Sequence, residues 1–102
     1  MLKQLDKLLT TLSPSDQVAT LSVLKRIFNN IIQHPDEGKY RQIKLANEAF
    51  SNKVWQYPAG EELMKMSGWI VEGDHVELRN DSYAQTVLAI TSQKLEVSKL
   101  LW

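Results

Sequence analysis

Along the chain the apolar positions change their period, and each change predicts an element. Residues 2 to 11 place Leu2, Leu5, Leu8 and Leu9 at helical spacing, so residues 1–12 read as an N-terminal helical extension. The run SPSD follows: Ser13 can cap, Pro14 suits a first helical position, and Asp16 lies at the positive end of the helix dipole. A second helix is therefore predicted to about Gln33, stopping near HPDEG. Its apolar residues, from Thr20 through Val23, Ile27 and Phe28 to Ile32, cover roughly half the helical circumference. Ser22, Lys25, Arg26, Asn29 and Gln33 fill the other side. Asn30 falls at the boundary beside Val23, where a side chain is half buried yet reaches outward.

The run DEGKYRQIK predicts a short third helix capped by Asp36, with Tyr40 and Ile43 three apart on one face. AFSNKVWQYPAG, broken by Pro58 and Gly60, predicts mostly loop with a short strand at Val54 to Gln56. EELMKMSG predicts a two-turn helix ended by Gly68. In WIVEGDHVEL, a two-residue turn at Gly73-Asp74 pairs Glu72 with His75, Val71 with Val76 and Trp69 with Leu78. That register puts Trp69, Val71, Val76 and Leu78 on one inward face. Asp81 is expected to cap a last helix from Ser82, with a stripe of Ala84, Val87, Leu88, Thr91 and Leu95. The apolar ending LLW suggests a domain excised from a larger protein. The order is helices, hairpin, helix: an α+β fold, a compact helical domain with a small β-hairpin or short antiparallel sheet and a C-terminal helix.

At 102 residues and 43% apolar content, the chain suits one globular domain with a modest core. Twelve basic and twelve acidic residues cancel, which argues against general binding to nucleic acid or anionic membrane and leaves only a local patch. The absence of cysteine excludes disulfides, thiolate zinc sites and cysteine nucleophiles. Lys3, Asp6 and Lys7 interrupt the start, so it lacks the apolar core of a signal peptide. No apolar run approaches the ~18 residues of a membrane span. The expected location is the cytoplasm, with the nucleus as a second compartment.

Catalysis is hard to assemble. His34 and His75 are the only histidines, and no nucleophile elbow, phosphate loop, dinucleotide fingerprint or H-E-x-x-H pattern accompanies them. Glu61 and Glu62 are neighbours and do not face each other on a helix. His34, Asp36 and Glu37 supply too few oxygens for a hard cation, and a capped helix start accounts for them. No catalytic residue, metal or cofactor is expected, and the chain reads as a non-enzyme.

The stretch EGKYRQIKLANEAF holds the candidate chemistry. Spacing alone favours a solvated basic face whose Tyr40 and Ile43 touch the core. A nucleic-acid reading uses Lys39, Arg41 and Lys44 on phosphates and Tyr40 under a base, against a neutral total and the flanking Glu37 and Glu48. A peptide pocket explains the composition better. Tyr40 supplies an amphipathic wall, Asn30 and Asn47 supply donors and acceptors for a peptide backbone, and the lysines attract acidic groups.

Residues 29 to 54, NNIIQHPDEGKYRQIKLANEAFSNKV, resemble the signature of the PUB domain, found in peptide:N-glycanase, some UBX-domain adaptors and a linear-ubiquitin ligase. The matching positions are Asn30, Pro35, Glu37, Lys39, Tyr40, Arg41, Ile43, Lys44, Asn47, Ala49 and Phe50. Lys44 stands where many members have arginine, which removes the planar fork of a bidentate contact. Trp55 and Tyr57 follow without a fixed pattern. The resemblance extends more loosely from about Ser15 to the end.

It implies an interaction module that binds the acidic C-terminal tail, with its leucine and tyrosine, of a valosin-containing-protein-type hexameric AAA ATPase. Carried over, Asn30, Tyr40 and Asn47 line the pocket, Phe50 forms its floor, and Lys39 and Lys44 face the acidic part. A slot so bounded holds no guanidinium, which would exclude a phosphotyrosine. The expected domain is a monomer, without nucleic-acid or membrane partners. Alternatives are the targeting domain of a larger enzyme such as a peptide:N-glycanase, a module for an internal tyrosine motif of a deubiquitinase, and, remotely, single-stranded nucleic-acid binding.

Overall fold

The computed structural model describes residues 2–100, with side chains through Val97. Helix α1 (Leu2–Thr10) buries Leu5 and Leu8 and packs on α4. Helix α2 (Pro14–Gln33) begins as its sequence dictates: Ser13 Oγ accepts the Asp16 N–H at 3.3 Å, and Pro14 occupies the first turn. It ends at His34, whose N–H still reaches Asn30 O at 2.9 Å before Pro35 forbids another turn. Its buried stripe of Leu21, Leu24, Phe28 and Ile31 packs against α5 (Ala84–Leu100).

The sheet is antiparallel and three-stranded, in the order β1 (Gln42–Lys44), β3 (His75–Leu78), β2 (Trp69–Glu72). The hairpin register is the predicted one, with Trp69 opposite Leu78, Val71 opposite Val76 and Glu72 opposite His75. Gly73 supplies the positive φ of 60° that the turn requires. Trp69, Val76 and Leu78 are buried, and the Trp69 ring meets Phe28 edge-on at 6.3 Å. Val71, expected inside, is 45% exposed. It lies on the edge strand, while its partner Val76 holds the covered centre.

Four local expectations are corrected. The predicted third helix is a single 3₁₀ turn (Gly38–Arg41) that passes directly into β1, and Asp36 does not cap it. Ile43 aligns with Val76 of β3, a pairing with a residue far along the chain that overrides local helical spacing. The predicted loop and strand after Phe50 are helical: α3 (Glu48–Phe50) continues into a π-helical turn (Ser51–Trp55). Buried Thr20 on α2 fixes that turn by donating to Lys53 O at 2.7 Å. Gly60, in α4 (Pro58–Met66), lets it approach, since a Cβ there would lie 2.0 Å from Val54 O. Lastly, Asp81 does not cap α5. Asn80 Oδ1 takes the Ser82 N–H at 3.0 Å, and the Asp81 carboxylate turns to Arg41. The terminal residues 101–102 of the LLW motif lie outside the described residues. Gly68 ends α4 as expected, at φ 105°.

Candidate functional site

One face of α2 and the segment that follows it enclose an open groove of about 460 Å³. Val23, Arg26, Ile27 and Asn30 recur at i, i+3, i+4 and i+7, so a single helical stripe forms one wall. Lys39 and Tyr40 of the 3₁₀ turn, with the three residues of β1, form the other. Ala46, Asn47 and Phe50 close the end. All six residues singled out from the sequence, Asn30, Lys39, Tyr40, Lys44, Asn47 and Phe50, meet in this groove.

Each is positioned by a different device. Tyr40 is half buried and stacks on His34, with centroids 4.8 Å apart. Lys39 Nζ sits 5.1 Å from the Tyr40 ring centre and 3.4 Å from Glu37 Oε2, held above the ring. Phe50 is fully buried against Trp55 at 5.7 Å, so Trp55 backs the floor rather than lining the groove. Tyr57 packs elsewhere, beside Leu8 and Ala59. Asn47 caps α3: its Oδ1 accepts the Phe50 N–H at 3.0 Å. With one lone pair of that oxygen engaged by the cap, the two amide hydrogens remain to be donated into the groove. The Asn30 side chain has no hydrogen-bond partner among the described residues.

Charge is distributed unevenly. Arg26, Lys39 and Lys44 line the groove, and no lining residue is acidic, although the whole chain is neutral. Arg26 and Lys44 have no carboxylate within ion-pair distance among the described residues. Arg41 points elsewhere, donating to Pro35 O at 3.2 Å and Asp81 Oδ2 at 3.0 Å. It braces the 3₁₀ turn against the start of α5, so the basic trio of the nucleic-acid reading does not act as one surface. A smaller depression of about 220 Å³ continues past Gln42 and Lys44 to Asp74 and His75. On the outer face of the hairpin, Arg79 bonds Glu77 at 2.6 Å, which holds that carboxyl below the usual carboxylate range.

Sequence reading missed Arg26 and the apolar wall of Val23 and Ile27. The signal was present: Arg26 precedes Asn30 by four residues and shares its side of the helix. Its position adds a guanidinium to a lining that was expected to hold none.

The pattern of the PUB domain family matches residues 16–100, from the first turn of α2 through α5. The chain is also 25% identical over 76 residues to Plant UBX domain-containing protein 2 of Arabidopsis thaliana, covering 74% of this chain. It spans 17% of the length of that relative. A family match that takes in every wall of the groove, on an α+β fold with the register its sequence dictates, places this chain in the PUB domain family, a protein-interaction module rather than a catalytic one.

Proposed function

We propose that the groove docks the acidic C-terminal tail of a valosin-containing-protein-type hexameric AAA ATPase and so tethers the parent protein to a ubiquitin-linked unfolding machine. The observation that carries this reading is the lining: three cations, two asparagines and a glutamine with amide hydrogen atoms to donate, an aromatic wall and no carboxylate. A leucine and a tyrosine near the end of such a tail match the apolar surface of Val23, Ile27, Tyr40, Ile43 and Phe50. Its acidic residues match Arg26, Lys39 and Lys44. The similarity to a protein named for its UBX domain supports an adaptor role. The domain acts as a monomer in the cytoplasm and nucleus on this reading.

A short tail that orders on a small groove loses conformational freedom, so a Kd on the order of 1 to 100 µM is expected. Calorimetric titration with a peptide ending acidic–Leu–Tyr–x tests it, and absence of heat or saturation at millimolar peptide overturns it. An amidated version of the peptide distinguishes the rival occupant. Unchanged affinity without the terminal carboxylate favours an internal tyrosine motif.

A further inference from the structure

The groove runs along an unpaired sheet edge, and this has consequences for the conformation of whatever fills it. β1 stands at the end of the order β1-β3-β2, so one of its sides carries no partner strand. Leu45 N–H donates to Asp74 O at 2.9 Å, just beyond the Lys44–His75 pair. In an antiparallel ladder that bond makes Lys44–His75 a pair that exchanges no hydrogen bonds of its own, and it makes Ile43–Val76 the bonded pair. By the same alternation the N–H and C=O of Gln42 and the N–H of Lys44 turn away from β3. The Lys44 carbonyl is engaged by the Asn47 N–H at 3.0 Å. Two donors and one acceptor are left, on residues that are both exposed.

Successive side chains of a strand point to opposite faces. A cavity lined by Gln42, Ile43 and Lys44 together therefore follows the edge of β1 rather than lying over one of its faces. The smaller depression beside Gln42, Lys44 and His75 lies instead over the outer face of the sheet, where the register places these three side chains together.

We propose that the occupant binds as a fourth strand added to β1, with one of its N–H groups donating to Gln42 O and its carbonyls accepting from Gln42 N–H and Lys44 N–H. This deepens the proposed function and rests on it, because the acidic, extended tail is the occupant to which the cationic lining commits. Main-chain bonds supply affinity without regard to side chains, while Arg26 and the lysines select for acidic ones. A helical occupant would satisfy its own backbone and leave this edge bare.

The test is an N-methyl scan of the acidic–Leu–Tyr–x peptide against the full chain, read by calorimetry, with amide hydrogen exchange on the same complexes. Methylation at one peptide position is expected to weaken binding by about tenfold or more, and at its two neighbours by less than about threefold. Exchange at Gln42 and Lys44 should slow by about tenfold or more at saturation, while Ile43, already bonded to Val76, changes little. Tight binding that tolerates methylation throughout, or that leaves Gln42 and Lys44 exchanging as before, overturns strand addition and leaves the tail reading standing. Failure of the unmethylated peptide to bind overturns both.

Discussion

Two concavities among the described residues are of nearly equal size, and they differ in what their polar groups are doing. The groove between α2 and β1 holds about 460 Å³, and the hollow bordered by Leu2, Leu9, Gln17, Ile90, Gln93, Lys94 and Val97 holds about 490 Å³. In the hollow, Lys94 already pairs with Asp6 at 2.6 Å, and Gln17 donates to Leu9 O and Leu12 O. In the groove, Arg26, Lys44 and the Asn30 side chain face outward with no such commitment. Volume does not distinguish the proposed docking groove from the hollow. The state of its hydrogen bonds and charges does.

The largest expected effect erases the distinction altogether. Trp69→Ala removes the ring that packs on Phe28 beneath the sheet and should cost about 3 to 5 kcal/mol, visible as a collapse of the thermal transition. A melting shift no larger than that of His75→Ala would mean that the hairpin register is wrong. Charge reversal then separates the two concavities. Lys44→Glu should weaken the tail peptide by about tenfold or more in calorimetry with little change in melting. Lys94→Glu should leave affinity intact and cost at most about 1 kcal/mol of stability by losing Asp6. Equal effects on binding from the two reversals would remove the groove's claim to be special.

A finer test lies within the groove. Asn47→Ala should weaken binding and also cost about 1 kcal/mol through the lost cap, a drop of roughly 4 to 8 °C in a domain of this size. Asn30→Ala should weaken binding alone. A thermal shift in Asn30→Ala as large as in Asn47→Ala would show that its side chain is structural. Smallest of all, Val97→Ser in the hollow should move stability by no more than about 0.5 kcal/mol and leave peptide affinity where it was.

What the sequence disclosed depends on how far away the deciding partner lies. Ser13, Pro14 and Asp16 set the start of α2 among themselves, and Gly73-Asp74 set the hairpin register within ten residues. Both were legible. Asn30 was legible as a boundary residue because a wheel needs only α2. The third strand was not, because Ile43 is drawn into the sheet by Val76, which no local window contains. The turn after Phe50 was hidden for the same reason: Thr20, 33 residues upstream, holds it through Lys53 O. Of the groove, the residues clustered in one stretch were found, whereas Arg26 required knowing that β1 would come to lie across from it.

One amide group joins folding to recognition through two different atoms. Asn47 gives its oxygen to the start of α3 and keeps its nitrogen for the groove. Ageing that converts that amide to the aspartate carboxylate would keep an oxygen for the cap, since aspartate caps as well. It would also replace the donor facing the occupant with a negative charge. Aged molecules should therefore melt like fresh ones while refusing an acidic tail. A stock judged by its thermal transition alone would hide the damage, and peptide titration beside the melt, with Asn47→Asp as the standard, would reveal it.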